Sequence, residues 1–242
     1  MKKTMAVLER KPRRLIEAAI NEGRKSLLEH EADELAKMYG IPLPKAGLAR
    51  SENDAVKIAR KIGYPIAMKI VSPEILHKTD VGGVRLGLDS RAEVKRTFAE
   101  IMRNAKKVSD KVDITGVYVQ RMAEKAHEFV VGAIRDPQFG PAVMFGIGGI
   151  YVELFKDVTF RLAPLSLEEA TSMTNDFKAA PLLRGFRGAK PLDVSSAART
   201  IQAVGKMISE NPQIESIDIN PLLVYEKGAI AVDVRIILRK QN

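Results

Sequence analysis

The sequence predicts an α+β protein of two lobes, on three observations. Residues 24–108 alternate capped helix signals with one strand–turn–strand. Residues 116–163 hold four strand signals in succession with no helix between them. The chain then closes on two strands, 214–225 and 229–238, joined by a tight turn at Lys227-Gly228. Consecutive strands without crossover helices pair antiparallel. The change of character between residues 110 and 116 places the lobe boundary there, giving an extension at 1–23, a first lobe at 24–113 and a second at 114–242.

Residues 1–24 are polar and basic, with one helical patch at 15–20. Ser26 followed by Glu29 reads as a capping box, and Leu28, Ala32, Leu35 and Tyr39 share a face of the helix it opens. Gly40 and Pro42 end that helix. A second helix starts at Ser51 with Asp54 at N3, buries Val56, Ala59 and Ile62, and stops at Gly63. A third, capped by Ser90 and Glu93, buries Val94, Phe98, Ile101 and Ala105. Between them lies PIAMKIVSPEILHKTDVGGVRLG, residues 65–87, a strand, a long turn and a strand. Past the boundary, strands are predicted at 116–122, 128–135, 142–145 and 159–163, then helices at 166–177 and 193–209. The stretch LRGFRGAKP at 183–191 reads as loop, either a docking loop or a solvated turn. No repeat or low-complexity segment is present.

The 242 residues suffice for a full core. Apolar content of 45% and charged content of 29% are ordinary for a soluble chain. No apolar run approaches the ~20 residues that span a bilayer, so no membrane partner is expected. Cysteine is absent, which excludes disulfides and thiolate metal sites. A cytoplasmic protein is the expectation, and abundant Lys, Arg and Glu fit a thermophile's composition. The net charge of +9 raises the case of a basic nucleic-acid-binding protein, a non-enzyme alternative. The basic clusters lack interleaved aromatics, so no nucleic acid is expected and an anionic small substrate explains part of the excess.

Three places carry chemistry. Lys69 interrupts the apolar run 66–71 and needs an anionic partner, because an unpaired buried ammonium is costly; an edge-strand lysine reaching water is the alternative. Gly82-Gly83 would let backbone N–H groups approach a phosphate. His77 stands mid-turn, on an arm able to carry an imidazole on the order of 15 Å. Neutral imidazole, the majority form at pH 7, is a nucleophile toward phosphorus, oriented by a carboxylate such as Asp218 or Asp80. No Walker-type loop is present, and GIGG at 146–149 lacks the spacing of a dinucleotide fingerprint.

The closing strands carry IDINPLLV and AIAVDVRI. If Tyr225 pairs with Gly228, Asn220 lies opposite Asp233 and Asp218 opposite Arg235. An acid and an amide oxygen so placed suit Mg²⁺; a solvated face is the alternative. Glu128 could accept from ribose hydroxyls, Gln120, Arg121 and Met122 could offer backbone groups to an adenine, and Arg161 could meet a phosphate or form a surface ion pair.

These residues carry a resemblance. GYPIAMKIVSPEILHKTDVGGV, VVGAIRDPQFGPAVMFGIGGIYVELFKDVTFRLAPL and IDINPLLVYEKGAIAVDVR closely resemble the β subunits of archaeal ADP-forming acetyl-CoA synthetases, which are ATP-grasp proteins. The resemblance covers residues 24–238 and extends at greater distance to the succinyl-CoA synthetase β subunit. It implies an ATP-grasp fold, two lobes clamping ADP or ATP, with Mg²⁺. It implies phosphate contacts at Lys69, Gly82, Gly83 and Arg161, and an adenine and ribose side at Gln120–Met122 and Glu128. Asn220 and Asp233 match metal ligands. His77 matches a transiently phosphorylated histidine on a mobile loop, 72–83, and Asp218 the acid that supports it. The implied reaction is acyl-CoA + ADP + phosphate ⇌ acid + CoA + ATP, run with a CoA-binding α subunit in an α2β2 complex. A succinyl-CoA synthetase-like subunit and a stand-alone carboxylate ligase are the alternatives within the fold.

Overall fold

The computed structural model describes residues 2–75, 77–108, 112–149 and 157–239, and of residues 2–11 the backbone alone. The chain divides into two compact units. The larger comprises Met1–Leu27, Glu31–Leu43 and Lys125–Asn242; the smaller comprises Leu28–His30 and Pro44–Glu124.

The smaller unit is built on a four-stranded antiparallel sheet in the order β1-β4-β2-β3, with β1 at Ala46–Ala49, β2 at Ile66–Val71, β3 at Val84–Leu88 and β4 at Gly116–Arg121. Helices α3 (Glu52–Ile62) and α4 (Arg91–Val108) pack on it. Their start signals work as the sequence predicts. Ser51 accepts the Asp54 N–H at 3.1 Å, and Ser90 and Glu93 bond reciprocally at 3.0 and 3.3 Å. Ala55 and Ala59 from α3 and Val94, Phe98, Ile101 and Ala105 from α4 join Met68, Ile70, Val117 and Val119 in one core.

The lobe boundary differs from the expected one at 113–114. β4 pairs residue for residue with β2, from Ile66–Arg121 to Val71–Gly116, so it belongs to the smaller unit and the division falls at 124–125. Sequence proximity to the later strands hid this, because periodicity does not say which strand a ladder uses.

The larger unit holds a six-stranded antiparallel sheet, ordered β10-β8-β5-β6-β7 with β9 also on β8. Its strands are β5 (His127–Asp136), β6 (Gly140–Ile147), β7 (Val158–Leu162), β8 (Ile214–Val224), β9 (Ala229–Ala231) and β10 (Val234–Leu238). The unit also contains α1 (Lys2–Asn21), most of α2 (Glu29–Met38), α5 (Leu167–Met173), a 3-10 turn at Ala180–Arg184 and α6 (Val194–Glu210). α6 lies against β5, β6 and β8. The segment 1–23 is therefore not an appendage: Ile16 and Ala19 are in this unit's core. After Arg184, Lys190 makes an exposed ion pair at 3.1 Å with Glu226, in the turn between β8 and β9.

Alternation decides which side chains face which way. Phe129, Val131 and Ala133 of β5, Val143 and Phe145 of β6, and Ile217 and Ile219 of β8 face the helices. Phe129 and Phe145 stack at 5.6 Å, and Phe177 meets both edge-on. The intervening residues, Glu128, Val130, Gly132, Asp218 and Asn220, take the other face. Among the described residues no helix is long and apolar enough to cross a membrane.

Candidate functional site

In the smaller unit, β2 is buried at every position except Lys69. The anionic partner that Lys69 requires is Glu29, at the first turn of α2. Glu29 Oε1 accepts from Lys69 Nζ at 2.7 Å, and Oε2 accepts from the Lys78 ammonium. Burial alone would push the Glu29 carboxyl up; the charges of Lys69 and Lys78 more than offset this and hold it below the usual carboxylate range. The expected capping box is not formed, because Ser26 sits in an isolated bridge to Ile237 and Glu29 serves the lysines. Glu29 is thus a site residue that sequence reasoning missed. The lone lysine in an apolar strand signalled a partner, but spacing could not identify a carboxylate 40 residues away.

His77 is exposed, while Ile75, two residues before it, is buried. The loop closes on Gly82-Gly83, whose role differs from the expected phosphate cradle. The Gly82 N–H donates to Thr79 O at 3.0 Å and the Gly83 N–H to Lys78 O at 2.7 Å, so neither is left for a phosphate. Gly83 is required for close packing: a Cβ there would lie 2.5 Å from Ile70 Cγ2. The adenine-side donors are likewise engaged. The Arg121 N–H donates to Lys45 O at 2.8 Å and the Met122 N–H to Pro65 O at 3.0 Å, while Gln120 is buried in the ladder between Ala46 and Ala67. An adenine ring nitrogen therefore finds no free N–H at Arg121 or Met122.

In the larger unit, the sequence-derived register holds. Arg235 lies opposite Asp218 and Val234 opposite Ile219, and the Asn220 N–H donates to Asp233 O at 3.2 Å. Tyr225 N–H donates to Gly228 O at 3.0 Å, the turn pair from which that register was counted. Burial pushes the Asp218 carboxyl up, nearby Asp233 adds to the effect, and Arg235 opposes it. The segment GIGG, unremarkable as a nucleotide fingerprint, gathers this site. The Gly148 N–H donates to Glu128 O at 2.8 Å, and the Gly149 N–H donates to Asn220 Oδ1 at 3.0 Å. Glu128 Oε2 lies where a Cβ on Gly149 would be, 2.1 Å from that position, and Gly149 has φ +66°. Glu128, Gly149, Asn220 and Asp233 are thereby assembled within one unit.

Arg161 is not part of that assembly. It sits opposite Val143, on the helix-covered face, and its guanidinium pairs with Asp176. The period-2 rule gives the other face to Phe160 and Leu162. Of the two roles expected for Arg161, a phosphate contact or a surface ion pair, the structure shows the ion pair.

A family model for the ATP-grasp domain matches residues 18–238. The chain is 50% identical over 228 residues to the β subunit of Pyrococcus furiosus acetate–CoA ligase (ADP-forming) I, spanning 94% of this chain and 98% of that protein. The chain belongs to the ATP-grasp β-subunit family of ADP-forming acid–CoA ligases. Two solved structures of the acetyl-CoA synthetase 1 of Ca. Korarchaeum cryptofilum superpose closely. One, with coenzyme A, acetyl-coenzyme A and a phosphorylated phosphohistidine segment in a site I orientation, gives a TM-score of 0.88 at 46% identity over 95% of this chain and 100% of that one. The other, with coenzyme A, Mg-AMPPCP and the phosphohistidine segment pointing towards the nucleotide site, gives 0.85 at 45% identity over 95% and 100%.

The oxygen donors of this ATP-grasp chain fit Mg²⁺. Asp233 would contribute a carboxylate and Asn220 an amide oxygen; the Asp218 carboxyl nearby is raised first by burial and then by the charge of Asp233. Mg²⁺ binds through one or two carboxylates plus phosphate and water oxygens. Among the described residues no group of three or more His, Cys, Asp or Glu is placed to hold a metal, so such outside oxygens would complete the set.

Proposed function

We propose that the chain is the nucleotide-binding subunit of an ADP-forming acetyl-CoA synthetase, catalysing acyl-CoA + ADP + phosphate ⇌ acid + CoA + ATP with a CoA-binding α subunit. The observation that carries this is the end-to-end match to a β subunit of that enzyme at 50% identity. An α2β2 assembly and a cytoplasmic location go with the reading.

His77 is the group we assign to carry phosphorus in this chain. Its imidazole nitrogen attacks a phosphoryl donor, the donor's bond to phosphorus breaks, and the N–P bond formed is later broken by an ADP oxygen to give ATP. Exposure of the side chain suits a group that must be reached from two directions. Direct transfer needs reacting atoms near 3 Å and in line, which a relay supplies where two sites lie apart. Lys69 and Lys78 present ammonium charge to anionic groups, and Glu128 accepts from ribose hydroxyls. Asn220 and Asp233 would hold Mg²⁺, which supplies charge neutralisation at the phosphates. Asp218 is the acid assigned to support the phosphorylated imidazole.

His77→Ala, assayed with its co-purified partner, is expected to abolish net ATP synthesis while leaving Mg-ADP affinity within about threefold, because the imidazole holds no nucleotide group in the ground state. Full turnover by this variant would refute the relay. Turnover by the chain without any partner would favour a stand-alone carboxylate ligase.

A further inference from the structure

The loop that bears His77 is fixed on both sides of that residue. Upstream, Ile75 is 5% exposed and packs in the smaller unit's core. Downstream, Lys78 is held twice: its carbonyl accepts the Gly83 N–H at 2.7 Å, and its ammonium reaches Glu29. The first two anchors are uncharged. The third is ionic, and it alone responds directly to a change of charge at the neighbouring imidazole.

Among the described residues, the three members of the ion cluster are not equally committed. The Glu29 side chain is 4% exposed and Lys69 12%, whereas Lys78 is 26% exposed. Removing one partner of a buried ion pair is strongly destabilising when it strands a charge. Here it does not. If Lys78 leaves, Lys69 still pairs with the carboxylate through the other oxygen at 2.7 Å. Two lysines on one carboxylate let the more exposed one depart while the buried charge stays neutralised.

We propose that Glu29 is a positioning residue for phosphoryl transfer: it keeps the unphosphorylated His77 loop docked through Lys78 and yields Lys78 once His77 carries the phosphoryl group. The inference rests on the relay assigned to His77. A phosphoryl group brings a charge of about −2 and three strong acceptor oxygens, one residue away from that ammonium. It competes for Lys78 with a carboxylate that has a second cation in reserve. Docking thus holds the loop while the imidazole is empty and loosens it once the imidazole is loaded.

The test is hydrogen exchange on the full chain, read at the peptide covering residues 72–84, which contains the bonded amides of Gly82 and Gly83. His77 is loaded with phosphoramidate: an imidazole nitrogen attacks phosphorus, the phosphoramidate P–N bond breaks and ammonia leaves. Glu29→Gln removes the counter-ion. Lys78→Met removes the latch from its more exposed end and leaves the Glu29–Lys69 pair, so it reports even if Glu29→Gln folds poorly. Both variants are expected to raise exchange of this peptide at least about tenfold, the lower end of the factor carried by one charge-assisted hydrogen bond, with β4 peptides unchanged. Phosphoramidate is expected to bring the wild-type loop to the same level and to add little in either variant. Wild-type exchange in folded Lys78→Met overturns the docking role. Phosphoryl uptake on His77 without faster exchange overturns the release. Failure of His77 to take up the phosphoryl group refutes the relay reading, and the release with it, while the Lys78→Met comparison still judges docking.

Discussion

Gly149→Ala separates backbone strain from loss of a nucleotide contact. The residue sits at φ +66°, where an L side chain costs roughly 1–2 kcal/mol. In a chain of this size that lowers the melting midpoint by roughly 2–8 °C. The added Cβ would lie 2.1 Å from Glu128 Oε2, against the 3.0 Å that real Cβ contacts essentially never undercut, so the carboxylate must retreat by about 1 Å. The ribose hydrogen bond proposed at that carboxylate is expected to be lost with such a shift. Bonds to charged groups contribute about 1.5–3 kcal/mol, so Mg-ADP affinity is expected to fall by roughly 10- to 150-fold. Gly140→Ala is the control. Gly140 has φ +78°, and an added Cβ there meets nothing within 4 Å. It is expected to lose similar stability and no affinity. Titration calorimetry with Mg-ADP and thermal melts on both variants give the two readouts. Unchanged affinity in folded Gly149→Ala, or an equal loss in Gly140→Ala, would refute the placement of ribose at Glu128.

Two further outcomes follow from the same geometry. Arg161→Ala is expected to leave Mg-ADP affinity unchanged, since its partner is Asp176, and to cost under about 1 kcal/mol in melts, as half-exposed pairs do; a tenfold affinity loss would restore Arg161 to the nucleotide site. The Asp218 carboxyl is pushed up by burial and by Asp233, so the folded state binds its proton more readily than the unfolded state. Stability from this group is then highest at low pH and falls as pH rises past the ordinary carboxylate value. Asp218→Asn is expected to raise stability at pH 7 without added metal, with the gain disappearing below about pH 4; a gain that persists in acid would contradict the sign.

The α+β class, the helix starts at Ser51 and Ser90, and the hairpin register that sets Asn220 beside Asp233 were legible in the sequence. Each depends on interactions a few residues apart or on one turn whose pairing fixes a whole ladder. What escaped depends on partners far along the chain. β4 pairs with β2 across an intervening helix, and Glu29 meets Lys69 40 residues on. The choice between the two roles of Arg161 is not legible for a different reason. Its face follows from alternation, but which face the helices cover is settled by packing, not by the strand's own pattern. Gly149 carries no signal as a dinucleotide fingerprint, because what it does here is admit the Glu128 carboxylate and donate to Asn220, contacts that no spacing encodes.

The glycine pair shows how similar local sequences can serve opposite ends. A nest binds anions because its N–H groups point outward and unpaired. At Gly82-Gly83 the N–H groups turn inward onto Thr79 and Lys78, and the absent side chain makes room for Ile70. The turn is therefore a clamp on the end of the His77 loop. In this conformation the cluster on β2 and the loop meets an anion with ammonium groups instead of backbone dipoles. Ammonium groups differ from a nest in one respect that matters for a relay. Backbone donors are fixed in number and direction, while a lysine changes partner by rotating its own side chain. A site that must hold a carboxylate in one state and phosphoryl oxygens in the next needs donors of the second kind, and Glu29 holds two of them in place.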